Sequence, residues 1–431
     1  MSGAQYESRP LECFQWGQEL RREHWRNVVS AREQGKLLID GYVLFPVALC
    51  AGLGDVVPFG TDVYAANVAN NTEFSIKALE AVEARGFARD TCGYFRNDAG
   101  SMFLDRYLFG GPYPRPDFII TPHDCEARGR WYQVKAEHLG IPIFIVEVPL
   151  ADPGFRTQAR IDYLMAQFQE GIHWMEKVTG RHYDDERLIQ ATALTLKNQK
   201  LWAEICLLNG AIPAPMNVRS KASIMAVPLM RRHEPVCLEF LTALRDEMKY
   251  RVANNIAAVG QERARVFTDQ MPPWYAISGV KYTEMYYGAV WVGMWTYARL
   301  LGLFQVSPGG GLEVGLTPEE RGQPLRTRED ALRALAEMLV ANLVDMYNTQ
   351  GKIDDLLRFA RAWHCDGVIL HFNRSCPGEA VGLAEAKLAL KEAGLAVGSY
   401  ESSAQDPREG GMTEMVESFE RIMAVMGLEK L

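Results

Sequence analysis

Cys376 stands between a β-branched, apolar run, residues 367–372, and the sequence Pro377-Gly378-Glu379. The run reads as a buried strand. Proline at a first helical position, with Glu in the first turn, reads as the start of a helix. The spacing of Val381, Leu383, Leu388 and Leu390 carries that helix to about Ala393, with Gly394 as its stop. Cys376 is thus expected at the carboxyl end of a strand and at a helix N-terminus. Open α/β sheets hold ligands at that point, and helix amides there lower a thiol's pKa. The pattern recurs at 117–125, where a strand, a turn and Cys125 precede a helix opening at Glu126. A third cysteine, Cys92, lies in the polar break 89–98. Three thiolates can hold a [4Fe-4S] cluster whose fourth iron takes a non-protein ligand, an electron-donating or Lewis-acidic position. No Cys-x-x-Cys pair is present, so a metal site would have to be assembled from distant segments. At this level cluster ligands and plain loop thiols both remain open.

The other five cysteines, Cys13, Cys50, Cys206, Cys237 and Cys365, lie in helical or apolar surroundings and read as small core residues. His123, Asp124, Arg128 and Arg130 crowd around Cys125, and Arg374 precedes Cys376. These are either solvated turns or charge partners of an anionic centre. On the second reading, at least one of Arg128, Arg130 and Arg374 lies beside it. The aromatic residues between Trp274 and Trp295 read as core, and the glycines at 309–311 as a flexible loop without nucleotide-binding spacing.

The elements that must position these groups follow from periodicity. Residues 1–36 form a charged helical segment with Trp16, Leu20, Trp25 and Val28 on one face. Strand-like stretches at 37–49, 117–122 and 141–148 alternate with helices at 72–86 and 126–139, which predicts a parallel sheet within a first α/β domain, 37–150. The region 151–260 is helical, with helices expected at 156–179, 184–209 and 234–259. A second α/β domain, 261–431, has strands at 266–268, 288–295, 367–372 and 395–400. Its helices are expected at 327–347 and 413–426. The fold class is therefore α/β, with two Rossmann-like parallel-sheet domains and an additional helical segment. The two strand–turn–cysteine units suggest a duplicated architecture.

The chain has 431 residues, 48% of them hydrophobic and 23% charged, with a formal net charge of -8. That balance argues against a nucleic-acid partner. The absence of a long apolar run or an apolar N-terminal segment argues against a membrane and for the cytoplasm, where disulfides are not expected.

The segments 81–92, 121–126 and 366–376 resemble the benzoyl-CoA reductase and 2-hydroxyacyl-CoA dehydratase family. Within it they are most similar to the larger (B/O) subunit of the ATP-dependent class I reductase. The resemblance implies a [4Fe-4S] cluster between two domains, held by Cys92, Cys125 and Cys376. It also implies a homologous sibling subunit, separate ATP-hydrolysing iron–sulfur activator subunits, and ferredoxin as upstream donor. The implied reaction is dearomatisation of benzoyl-CoA, or a related aromatic acyl-CoA, to a cyclic dienoyl-CoA. The same scaffold implies two alternatives, a radical lyase removing water from a 2-hydroxyacyl-CoA and a subunit that only relays electrons. Pro46 is followed here by Val47-Ala48-Leu49-Cys50, where many family members carry acidic residues.

Overall fold

The computed structural model describes residues 5–149, 157–270, 273–410 and 412–431, without the side chains of 342–347 and 414. The described residues contain ten strands: β1 Leu37–Asp40, β2 Val56–Pro58, β3 Phe118–His123, β4 Ile143–Glu147, β5 Ala264–Thr268, β6 Ala289–Met294, β7 Phe304–Val306, β8 Leu312–Val314, β9 Gly367–Asn373 and β10 Ala396–Ser402. They form a four-stranded sheet of order β2-β1-β3-β4, another of order β10-β9-β5-β6, and a β7-β8 hairpin. Both large sheets are parallel throughout. Their strands read as near-continuous apolar runs, as strands covered on both faces must: β5 and β6 are buried along their whole length.

The two sheets share one topology. In each, the first strand pairs with the second on one side and the third on the other, and the fourth lies beyond the third. Chain order therefore reverses between strands one and three of both sheets, the switch point beside which such sheets bind ligands. The duplication expected from the repeated cysteine pattern is present at the level of strand order.

The helices Glu126–Leu139, Thr157–Thr179, Asp185–Leu208 and Pro235–Ala253 lie close to where periodicity puts them. Asp184 caps its helix by accepting from the amides of Glu186 and Arg187. Helix Phe14–Ser30 buries Leu20, Trp25 and Val28, whereas Trp16 stays 38% exposed against Phe240.

Four local expectations change. The strand proposed for 37–49 stops at Asp40, whose carboxylate turns back to accept from the amide of Gly41 and the hydroxyl of Thr61. The stretch 55–71, without an assignment in the sequence, holds β2 and a helix, Thr61–Asn70. The helix expected from Cys376 to Ala393 divides into Pro377–Ala380 and Leu383–Glu392. Gly382 sits between them at φ +73, a left-handed conformation that ends a helix, and Thr349 packs against its Cα. The glycines at 309–311 lie in the turn of the β7-β8 hairpin, where the amide of Ser307 donates to the carbonyl of Gly311 at 2.9 Å. Helices Val218–Ile224, Ala226–Arg231 and Thr349–Ala362 are further elements that periodicity did not single out.

Candidate functional site: a cavity between the two sheets

Cys125 directly follows the third strand of the first sheet by way of Asp124, and Cys376 follows the third strand of the second after Arg374 and Ser375. Each is the N-cap residue of the helix behind it, Glu126–Leu139 and Pro377–Ala380. Cys92 is also an N-cap, of the helix Gly93–Phe103, which the sequence reading left as a polar break. The signal was there: Phe95, Ala99 and Met102 recur at helical spacing and are buried. Chemistry-bearing residues from both sheets thus end at helix N-termini, facing one another.

They face one cavity of about 1110 Å³, whose wall includes Cys92, Cys125 and Cys376. The other five cysteines lie off this wall. Cys50, Cys206 and Cys237 are buried and Cys13 and Cys365 half-buried. Burial pushes the Cys13 thiol up to about 12, with Glu247 adding to the shift.

Helix N-termini alone do not make these thiols acidic. Burial raises the pKa of Cys92, against which the amides of Phe95 and Tyr94 act. Burial also raises Cys376 well above the ordinary thiol value, and Glu379 and the other two cysteines add to it. The expectation of a lowered pKa is corrected for Cys376, and Cys92 shifts in the same direction. Desolvation outweighs the helix dipole at these half-buried thiols, which lie beside one another and Glu379.

Two carboxyls of the cavity respond in the same way. Burial pushes Asp62 up to about 6, with Arg128 opposing. Glu379 rises to about 7 by burial, with Asp269 adding to the rise and Lys352 opposing it. Tyr94, Trp274 and Tyr297 line the cavity together, the indole of Trp274 donating to the Tyr94 hydroxyl at 2.9 Å. The Tyr94 and Tyr297 hydroxyls are 3.4 Å apart, which joins the two halves through aromatic groups. The core reading of this aromatic patch holds for Trp291 and Trp295 but not for Trp274.

The three arginines separate. Arg128 is on the cavity wall, paired with buried Asp124 and lying 3.2 Å over the Tyr42 ring. Its charge favours the thiolate of Cys92. Arg130 borders the cavity from an exposed position and donates to Gln133 at 3.3 Å. Arg374 points away and forms an exposed ion pair with Glu401 at 2.6 Å. His123 pairs with Glu147 at 2.8 Å across the ends of β3 and β4. The cation on the second sheet's side is one the sequence reading missed. Lys352 is 1% exposed, lies near enough for Cys376 and Glu379 to act on it, and carries no motif that marks it.

Two like parallel sheets thus close on one cavity lined by three cysteines. The chain belongs to the family described as 2-hydroxyglutaryl-CoA dehydratase, D-component, which matches residues 42–422. It is similar to the (R)-2-hydroxyisocaproyl-CoA dehydratase alpha subunit of Clostridioides difficile, 25% identical over 398 residues and 90% of each chain. It is likewise similar to the (R)-phenyllactyl-CoA dehydratase alpha subunit of Clostridium sporogenes, 24% identical over 95% of this chain and 94% of the relative. The lactoyl-CoA dehydratase subunit alpha of Anaerotignum propionicum is 22% identical over 88% of each. These matches overturn the reading as a benzoyl-CoA reductase subunit. The relatives are named as dehydratase subunits, and the chain is a subunit of an enzyme of this family. The motifs behind the resemblance mark the shared cysteine framework, which does not distinguish the two reactions. No helix among the described residues is long and apolar enough to cross a membrane.

Proposed function

We propose that this chain is the alpha-type subunit of a 2-hydroxyacyl-CoA dehydratase and that Cys92, Cys125 and Cys376 hold a [4Fe-4S] cluster in it. The observation that carries the reading is the convergence of these three, and no other cysteine, on one cavity from two sheets of identical strand order. The donor set suits the group. Among the described residues no three His, Cys, Asp or Glu side chains gather closely enough to bind a single metal ion. A cluster asks for something different, thiolates spread over separate irons. Thiols that burial and mutual repulsion hold protonated become thiolates when a strongly cationic centre takes the proton's place. Such a cluster, when bound, supplies an electron and an open iron beside the substrate.

The chain's own residues do the rest. Arg128 and Lys352, one from each half, offset negative charge at the cavity. Asp62, buried in the wall with a carboxyl near 6, holds or releases a proton there. Tyr94, Trp274 and Tyr297 form a wall that limits water around the acyl group. A partner subunit, an ATP-hydrolysing activator and an electron donor such as ferredoxin belong to this proposal, as does a cytoplasmic setting.

The test is an anaerobic assay of the chain with its partner subunit and a reducing activator. We expect water to be removed from a 2-hydroxyacyl-CoA whose acyl group is apolar, with benzoyl-CoA inert under the same conditions. Anaerobically purified protein should carry about four irons per chain for one filled cluster. Iron-free protein that still dehydrates the thioester would sink the proposal.

A further inference from the structure

The turn after β10 reaches into the first half of the molecule and touches the neighbours of two of the three cysteines. Gln405, within this turn, is 1% exposed. Its side-chain oxygen accepts from the hydroxyl of Ser375, the residue before Cys376, at 3.1 Å. The same side chain packs against Gly93, the residue after Cys92. Its main-chain carbonyl accepts from the amide group of Asn97, on the helix that Cys92 caps, at 2.8 Å. The fit is close enough to exclude a side chain opposite: a Cβ on Gly93 would come within 2.7 Å of the Gln405 side-chain oxygen and 2.8 Å of its Cβ.

The surrounding turn is itself tied down on both sides. Ser403 and Ser375 share a hydrogen bond at 2.8 Å, and Asn373 accepts from the amides of Ser375 and Ala404. On the other side, fully buried Arg96 and Asp406 pair at 2.9 Å. Arg96 lies on the helix of Cys92, so this pair joins the two halves of the molecule. Among these links, Gln405 is the residue that touches the neighbours of both cysteines through one side chain.

We propose that Gln405 is a positioning residue that fixes the spacing between the Cys92 and Cys376 loops, and through it the geometry of the centre they hold. The inference rests on the three-cysteine reading above. A neutral side chain buried between two loops that carry ligating thiols restricts their relative movement without adding charge. Hydrogen-bonding partners of this kind typically alter metal affinity by about 10–100-fold when removed.

Gln405→Met keeps the bulk against Gly93 while deleting the side-chain hydrogen bond to Ser375. We expect iron to be lost to a chelator roughly tenfold faster than from the wild type. The reduced-state EPR signal should shift or broaden while the thermal midpoint stays close to the wild-type value. Ser375→Ala, a milder change, should give a smaller effect in the same direction. The two combined should fall short of additive because both remove the Ser375–Gln405 contact. An iron-loaded wild type beside a Gln405→Met protein with the same chelation rate and EPR line shape overturns the role of Gln405 alone. Faster iron loss seen only together with a matching fall in thermal midpoint overturns it as well, since unfolding then explains the loss. A wild-type chain that holds no iron overturns the three-cysteine reading and this one with it.

Discussion

The ammonium of Lys352 donates to the main-chain carbonyl of Glu379 at 2.8 Å and to that of Val381 at 2.6 Å. The carbonyls it caps end the short helix that begins behind Cys376. A buried lysine loses stability through desolvation, which here lowers its pKa, and Asp269, Glu379 and Cys376 oppose that shift. Lys352 therefore orients the Cys376 loop and places a positive charge beneath it. Lys352→Met should lower the reduction potential of the centre by roughly tens of millivolts, because added negative charge on reduction loses a nearby cation. A redox titration beside Arg374→Gln separates the two cations. The arginine variant should match wild type because its ion pair with Glu401 is exposed. Equal potentials in Lys352→Met and wild type would remove Lys352 from the centre's surroundings.

Cys125→Ala should abolish iron binding, whereas Cys237→Ala should leave iron content and EPR signal unchanged. Cys237 is fully buried among apolar residues of the helix Pro235–Ala253, and its loss removes only a small side chain. The cost is about 1 kcal/mol, read as a denaturant midpoint shift. Iron loss in the Cys237 variant, or iron retention in the Cys125 variant, would reassign the ligands.

How much of this was legible in the sequence depends on the range of the contacts. Cys125 and Cys376 could be placed from local pattern because a buried strand, a turn and a helix start leave period and capping signals within a dozen residues. Cys92 was found as a candidate but its helix was not. Gly93, Asn97 and Gly100 interrupt the hydrophobic pattern for reasons of packing against distant segments. Lys352 and Gln405 left no signal at all. A lysine in an amphipathic helix and a glutamine in a polar turn ordinarily face water, and only tertiary contacts bury them. The reductase reading failed for a related reason: the cysteine pattern was read in short local segments, while the rest of the cavity wall, such as Tyr94, Trp274 and Tyr297, is scattered along the chain. Arg374 misled because nearness in sequence to Cys376 said nothing of its direction.

Beneath the first sheet, Lys135 bridges two buried carboxylates, Asp40 at 2.5 Å and Asp98 at 3.3 Å. Asp98 lies on the helix of Cys92, Lys135 on that of Cys125, and Asp40 ends β1. The hydroxyls of Thr61 and Tyr113 and the indole of Trp131 donate to the two carboxyl groups, and burial raises the Asp98 carboxyl above its ordinary value with Lys135 opposing. Lys135→Met strands two buried carboxylates and should cost roughly 3–5 kcal/mol. The deficit should shrink as pH falls, because burial already raises the Asp98 carboxyl and its protonated form is buried without a charge. Denaturant unfolding at pH 5 and pH 8 measures it. An equal deficit at both would mean that lost packing, rather than charge, dominates.

Glu284 offers a pH effect of opposite origin, away from the cysteines. Its Oε2 accepts from the side-chain amide of Asn217 at 3.1 Å, while Oε1 is buried without a hydrogen-bond partner among the described residues. Burial raises its carboxyl from 4.5 to about 7, and Arg219 only partly opposes this. A carboxyl whose folded value is raised contributes no penalty below the unfolded value of 4.5. As pH rises from there towards 7 the unfolded chain releases its proton first, so stability is lost across that window and stays lost above it. Glu284→Gln keeps the shape and cannot ionise. It should therefore be more stable than wild type at pH 8, by a margin on the order of 3 kcal/mol at most, and this margin should close near pH 4.5. Stability curves of the two proteins that run parallel from pH 4.5 to pH 8 would show that Glu284 ionises in the folded chain as freely as in the unfolded one.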